Sequence, residues 1–485
     1  MGKVLGDLNP QLIWDHFEEI CNNPHPSRKE DKLTEYVLSV GKRNNLETLR
    51  DDFGNVLIRK PATKGYENLP VVVLQGHLDM VAEKNADVQH DFDKDPIQPV
   101  VENGWVKAKG TTLGSDNGIG VAAALAIIDS KDVEHGPLEF LFTLDEETGL
   151  NGAASLKPGF LKAEILLNLD SEEDGTLYIG CAGGKNTYPK FKYLPEEVPE
   201  DSVAYQIKIT GLKGGHSGLD IAEGRGNAIR IMARLLWDLL RKHFLSVAKI
   251  EGGSKHNAIP RECFADITLP RKSETECLEY IRNFNDVVRK ELATNEGGLK
   301  IEAVPVDLPS TVIELRTGAK IINALYGVPN GVITMSPDIP GLVETSTNLA
   351  VITTEQDSVN IITSQRSSVE TEKDDIANQV EAVFYLADAE VTHGDGYPGW
   401  KPNVKSNILN VVKTTYKNMF GNEPEVKAIH AGLECGIINE RYPDMDMISF
   451  GPTIMGAHSP DERVKIDTVD KFWELLKNVL KNIPG

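Results

Sequence analysis

The sequence predicts an α/β fold in which a discontinuous first domain, built on a mainly parallel sheet, carries an inserted α+β domain. Three observations carry this. Short apolar runs alternate with helical stretches between residues 71 and 170, period-two alternation replaces them beyond residue 188, and the first texture resumes after a Gly/Pro-rich stretch at 392–403. At 485 residues and roughly 150 residues per domain, the chain has room for two or three domains.

The first two elements are helices, because QLIWDHFEEICNN and DKLTEYVLSVGKRNN place apolar residues at helical spacing around the turn material Pro24 to Ser27. VVVLQGHLD (71–79), LEFLFTLDEE (138–147) and AEILLNLD (163–170) read as buried strands, with a helix at NGIGVAAALAIIDS (117–130) between the first two. That order is the signature of a covered, largely parallel sheet. After CAGGKNTY (181–188) come the strand VAYQIKIT (203–210), the helix NAIRIMARLLWDLLRKH (227–243), the strand CFADITL (263–269) and a helix near 276–293. LAVITTE (349–355), VNIITSQRSS (359–368) and the helix DIANQVEAVFYLAD (375–388) complete the insert; a helix near 407–419 and the strand-like DMISFGPTIMG (446–456) then resume the first domain. The expected boundaries are 1–187 and 393–485 for the two parts of the first domain and 188–392 for the insert.

Fifty-one Lys and Arg face 73 Asp and Glu, a formal charge of −22, which repels phosphate backbones and anionic membrane surfaces. Neither nucleic acid nor membrane is an expected partner. The opening MGKVLGDLNPQ lacks the apolar region of a secretory signal, Gly6 departs from the myristoylation pattern, and the longest apolar run, Gly118 to Ile128, falls short of the ~18 residues that span a bilayer. A cytoplasmic protein is expected. The five cysteines, Cys21, Cys181, Cys263, Cys277 and Cys435, are odd in number and contain no CxxC pair, which speaks against a disulfide framework or a thiolate metal site.

Chemistry-bearing residues gather at the ends of the predicted strands. His77 and Asp79, two apart, point to one side, so the carboxylate can orient the imidazole; alone, such a pair is more often a hydrogen-bonded strand end. Asp116 precedes a small-residue helix where Gly114, Gly118 and Gly120 admit close backbone approach, and an Asp N-cap is the plain alternative. Gly118-x-Gly120-x-x-Ala123, with Asp145 further on, matches a dinucleotide fingerprint and is the basis of a rival NAD-dependent oxidoreductase reading. That reading lacks its context, since TTLGSDN is no apolar strand. Glu146 and Glu147 are adjacent and so direct two carboxylates differently, one toward a cation and one toward water. Asp170 closes its strand, and His458 lies in MGAHSPDE. Ligands of open α/β sheets bind at the carboxyl ends of strands, so His77, Asp79, Glu146, Glu147 and Asp170 are expected on one rim. Two imidazoles and several carboxylates without a thiolate suit zinc, manganese or cobalt. Two such ions about 3.5–4 Å apart, sharing a carboxylate and a water, hydrolyse amides.

With these residues in place, the sequence resembles the di-zinc aminopeptidase and carboxypeptidase superfamily that includes aminoacylases and carnosinases, and within it the branch of aminoacyl-histidine (Xaa-His) dipeptidases. The resemblance runs end to end through QGHLDMV, TTLGSDNGIGVA, FTLDEETGLNGA, NLDSEE, GLKGGHSG, GRGNAI, GGSKHNAIPRE, YPGWKPN, HAGLECG and GPTIMGAHSPDE. It implies a catalytic first domain and a lid-type insert. It further implies that His77 and Asp170 bind one metal, Glu147 and His458 the other, and Asp116 both; that Asp79 orients His77; and that Glu146 is the general base. His216 of GGHSG would polarise the scissile carbonyl. Asn257, Arg261 and Arg366 are candidates to hold a substrate carboxylate, and His430 and Glu434 to line the substrate side, Glu434 meeting the α-amine. The implied activity is hydrolysis of small peptides, including Xaa-His dipeptides of the carnosine type, with two divalent ions per chain, zinc first and cobalt or manganese next. Deacylation of N-acyl amino acids is the second hydrolase reading, and a non-catalytic metal-binding protein rests on acidity alone. The insert, about 200 residues long, exceeds a compact dimerising lid; it is either a doubled lid that completes the site within one chain or the surface of a homodimer.

Overall fold

The computed structural model describes residues 4–485; the first three, on which the start of the myristoylation reading rests, lie outside the described residues. The chain divides into two compact units: Met1–Cys181 with Trp400–Ala428 and Leu433–Gly485, and Ala182–Gly399 with Ile429–Gly432.

The first unit is built on an eight-stranded sheet ordered Glu47–Arg50, Val56–Lys60, Leu138–Thr143, Val72–His77, Ile165–Asn168, Asp446–Ser449, Thr176–Cys181 and Glu425–Ile429. Its middle is parallel, from Leu138–Thr143 through Asp446–Ser449. Val72–His77 and Leu138–Thr143 are buried at every residue, Gln75 and Glu139 included, which is why they read as mainly apolar runs without alternation. The sheet is mixed rather than parallel throughout, since Glu47–Arg50 and Val56–Lys60 pair antiparallel. Their connection, 51–55, is too short for a crossover, and the Asp51 carboxylate closes it by accepting from the amides of Phe53, Gly54 and Asn55.

The helix Ser115–Asp129 is apolar all round and buried along nearly its whole length, as befits a helix enclosed by its own domain. Its glycines are packing devices. A Cβ on Gly120 would stand 2.4 Å from the Leu169 carbonyl oxygen, and one on Gly76 would stand 2.2 Å from the Asn117 amide oxygen; Asn117 in turn donates to Leu169 O at 2.8 Å. Close packing, of Gly120 on the Leu169 carbonyl and of Gly118 on Phe17, where a Cβ would stand 3.1 Å away, therefore accounts for the glycine spacing without a dinucleotide.

At the far end of this helix, Asp129 meets His16 Nε2 at 3.2 Å, Arg43, and Asn44 Nδ2 at 2.5 Å. Burial pushes its carboxyl up, but His16, Arg43 and Asn44 outweigh burial and hold it well below the usual range. A depressed folded pKa means that the charge stabilises the fold above the unfolded value near pH 4, and that this stabilisation is lost as the pH falls through the folded value. Asp129→Asn is therefore expected to lower Tm by a few degrees at pH 7 and by less near pH 2, as checked by thermal unfolding at both.

The second unit carries a nine-stranded sheet in which every recorded pairing is antiparallel. Eight of its strands form two split β-α-β-β-α-β units, and the ninth, Gly331–Met335, pairs with Val343–Thr354. The first runs Ser202–Thr210, helix Ala228–His243, Ser246–Gly252, Cys263–Pro270, helix Glu274–Glu291 and Lys300–Pro305. The second begins earlier, with Gly183–Lys192, and resumes at helix Leu315–Gly327, Val343–Thr354, Ser358–Ser367, helix Glu370–Leu386 and Glu390–His393. Each half has the same spatial order, fourth strand, first, third, second, and the halves join where Gly252 pairs with Ile352. Ile207, Leu235, Leu239, Ile267, Ile321, Ile361 and Phe384 share one core. Alternate burial along Ser202–Thr210 matches the period-two texture.

Candidate active site

In the first unit, the strand ends bring their polar residues together. His77 ends its strand; its Nε2 lies 3.3 Å from Asp116 Oδ1 and 3.3 Å from Asp170 Oδ1. His458, in the loop after Ile454–Met455, places Nε2 at 3.1 Å from Asp116 Oδ2 and 3.0 Å from Glu147 Oε2. Asp116 thus gives one oxygen to each imidazole. His77, Asp116 and Asp170 form one group whose ligand atoms lie within 4.8 Å of one another, and Asp116, Glu147 and His458 form a second; Glu146 joins a third with His77 and Glu147. Asp116 reaches this position because it departs from helical geometry, with φ −86° and ψ 107°, at the start of its helix.

Asp79 organises the rim from beneath. His77 Nδ1 is 3.0 Å from its backbone oxygen and 3.4 Å from its carboxylate, and that carboxylate accepts from Glu146 N at 2.9 Å, Glu147 N at 3.1 Å and Ser27 Oγ at 2.8 Å. Burial pushes the Asp79 carboxyl up, but the His77 imidazole and the two amides overcome it and hold it at about 2. Asp145, the acid of the dinucleotide fingerprint, is buried at φ 53°. It accepts from Thr148 Oγ1 at 2.6 Å and Asn151 Nδ2 at 2.8 Å, while Glu30 accepts its amide at 3.1 Å. Glu434 is fully buried; Gln75 Nε2 and Thr143 Oγ1 donate to its Oε2 at 2.5 and 2.7 Å.

Electrostatics shows what this cluster calls for. Among the described residues no Lys or Arg pairs with Asp79, Asp116, Glu146, Glu147 or Asp170; the partners are the two imidazoles. Burial, followed by the neighbouring carboxylates, pushes Glu146 well above the carboxylate range against the pull of His77, and burial takes Asp170 to about 7. Hydrogen bonds to Asp116 and Glu147 carry His458 up to about 11. Glu147 Oε1 is buried without a hydrogen-bond partner. Buried anions need counter-charge, and an orphaned carboxylate oxygen beside two imidazoles and a shared Asp116 fits two divalent cations held by N and O ligands.

In the second unit, His216 Nδ1 accepts from the amides of Gly218 at 3.2 Å and Leu219 at 3.1 Å. Burial first, then Arg366, lowers its proton affinity, so the imidazole is neutral and carries its hydrogen on Nε2. Its ribbon is pinned by pairing of Gly215–His216 with Ala258–Ile259 and by Asp220, which accepts His216 N at 2.8 Å. His430 is buried, with Nε2 at 2.7 Å from Ser346 Oγ; burial, then Arg366 and His216, lower it to about 3. Arg366 is buried and donates from Nη1 to the Tyr397 hydroxyl at 2.8 Å, leaving Nε without a partner. Arg261 is exposed and donates from Nε to Leu212 O at 3.2 Å, and half-buried Asn257 accepts Ser217 N on its backbone oxygen at 2.8 Å.

Sequence reasoning missed the supporting residues Ser27, Glu30, Gln75, Thr143 and Tyr397, together with Glu462, whose buried carboxylate accepts the amides next to Asp116. Among the described residues no cysteine belongs to any of these ligand groups, and all five are buried.

Two imidazoles and a row of carboxylates, gathered without a thiolate on the carboxyl rim of a parallel sheet, define the class of metal-dependent hydrolases. The chain belongs to peptidase family M20/M25/M40, whose match covers residues 73–482. It is 43% identical over 481 residues, 99% of either chain, to the cytosol non-specific dipeptidase of Escherichia coli (strain K12). The crystal structure of aminoacylhistidine dipeptidase from Vibrio alginolyticus is similar at a TM-score of 0.95 and 43% identity, over 99% of this chain and 98% of that one. The fold is also that of aminopeptidase PepT from Bacillus cereus, with a TM-score of 0.58 at 16% identity over 98% and 99% of the two chains. No helix among the described residues is long and apolar enough to cross a membrane.

Proposed function

We propose that this protein is a di-zinc dipeptidase that hydrolyses unblocked dipeptides, Xaa-His dipeptides included, in the cytoplasm. The similarity to a cytosol non-specific dipeptidase and to an aminoacylhistidine dipeptidase supports the substrate class and the compartment. The observation that carries the chemistry is the division of one buried carboxylate, Asp116, between two imidazoles. In this reading the first unit forms the catalytic domain and the second the lid.

His77 and Asp170 would hold one ion, Glu147 and His458 the other, and Asp116 both, with cobalt or manganese able to replace zinc. When bound there, the ions supply Lewis-acid polarisation and acidify water. Glu146, whose proton affinity burial has raised, takes a proton from the attacking water and passes it to the leaving amine. Asp79 keeps His77 in one orientation and fixes the Glu146–Glu147 backbone. From the second unit, His216 would donate its Nε2 hydrogen to the carbonyl oxygen as negative charge develops there. Arg366, with Asn257 and Arg261, would take the substrate carboxylate, for which a guanidinium fork is suited, and His430 would line the same side. Glu434, fully buried with Oε1 unpartnered, suits a charged α-amine. An acylated amine offers no such charge, and this favours dipeptides over N-acyl amino acids.

Dialysis against a chelator is expected to abolish dipeptide hydrolysis, with zinc, cobalt or manganese restoring it. N-acetyl amino acids are expected to turn over ~100-fold or more slowly than unblocked dipeptides, since a buried polar group left unmatched discriminates strongly. Full activity in metal-depleted protein contradicts the reading.

A further inference from the structure

We propose that Glu462 is the positioning residue that locks the Asp116 and His458 loops in register and so sets the affinity of the cation pair; this rests on the di-metal reading above. Glu462 is 2% exposed, yet its carboxylate meets no Lys or Arg among the described residues. Its partners are the donors of one short segment. Oε2 accepts Leu113 N at 2.7 Å and Gly114 N at 3.0 Å; Oε1 accepts Ser115 N at 2.7 Å, Ser115 Oγ at 2.6 Å and Asp116 N at 3.3 Å.

Amides of consecutive residues converge in this way only where the chain coils around an anion. Gly114 supplies the coil with φ 72°, a left-handed value that costs an L side chain energy, and a Cβ there would stand 3.0 Å from Met80 Sδ. The result is an anion nest at the first turn of the helix Ser115–Asp129, occupied by the protein's own carboxylate. Charge-assisted hydrogen bonds of this number recover part of what burying the carboxylate costs.

Two consequences follow for the ligands. Asp116 lies at the edge of the nest in a non-helical conformation, so Glu462 fixes the backbone from which both Asp116 oxygens reach the imidazoles. Glu462 also closes the His458 loop, its amide donating to Ser459 O at 3.0 Å. One residue, by its carboxylate and its backbone amide, thereby ties together the segment that carries Asp116 and the segment that carries His458, 342 residues apart in sequence. Glu462 touches neither imidazole in the recorded contacts; it acts through the loops.

The test is metal titration of the chelator-stripped full chain with zinc and with cobalt(II), reading affinity and the visible cobalt spectrum. The wild type is expected to bind two ions. Glu462→Gln puts an amide NH2 against backbone donors and is expected to bind ~10–100-fold more weakly, the range for groups that support metal ligands, with a changed cobalt spectrum. Ser115→Ala removes one hydrogen bond, is expected to fold, and should weaken binding by about 3–10-fold; it carries the test should Glu462→Gln fail to fold. Asp129→Asn, which loosens the opposite end of the same helix, should leave affinity and spectrum unchanged. Wild-type binding and spectrum in both Glu462→Gln and Ser115→Ala, or an equal loss in Asp129→Asn, would overturn the positioning role. A wild type that binds no ions would instead overturn the di-metal reading beneath it.

Discussion

Glu146→Gln is expected to lower kcat by ~10³–10⁴-fold, the upper range for loss of a general acid–base group, while both cations remain bound. Gln keeps the size and hydrogen-bonding reach of the side chain but cannot accept the proton of the attacking water. The site prepares Glu146 for that proton in two ways. Its amide is anchored on Asp79 Oδ1 at 2.9 Å, and burial with Asp170, Glu434 and Glu147 nearby raises its proton affinity. The five residues proposed as ligands are untouched by the change, so metal content measured by atomic emission should stay at the wild-type level. Because Glu146 also falls within ligand range of His77 and Glu147, the metal measurement decides its role. Activity and one ion lost together would make Glu146 a ligand rather than a base.

Asp116→Ala is expected to remove both ions and all measurable turnover. Among the described residues only Asp116 is within ion-pair distance of both imidazoles, Oδ1 serving His77 and Oδ2 serving His458. Losing a shared anionic ligand should weaken metal binding by more than the ~10–100-fold that supporting residues cost. A fluorescence or calorimetric titration should show a stoichiometry falling from two toward zero at micromolar metal. Retention of one tightly bound ion would show that His77 and Asp170 suffice alone and that the site is not built around a bridge.

Much of the first unit is legible in the sequence because its central strands are buried on both faces and end abruptly in acids or histidine. Val72–His77 and Leu138–Thr143 are mainly apolar, and the sheet direction alone sends His77, Glu146, Glu147 and Asp170 to one rim. What local pattern does not hold is pairing across long distances. The strand Gly183–Lys192 belongs to the second β-α-β-β-α-β half although the entire first half follows it in sequence, and only the sheet order shows this. Gln75 and Thr143 look like polar interruptions of apolar strands; their purpose appears only when Glu434 is placed above them. Glu462 lies within MGAHSPDE, where an acid in a Ser-Pro turn reads as solvated, and its nest is made by amides of residues 113–116. Backbone donors leave no trace in a side-chain pattern.

The central claim is that two cations share Asp116, and the most direct measurement is anomalous diffraction at the zinc edge from crystals of the zinc-loaded protein. The account predicts two peaks about 3.5–4 Å apart, one beside His77 and Asp170, the other beside Glu147 and His458, with Asp116 between them. A single peak, or two peaks that do not share Asp116, would contradict it.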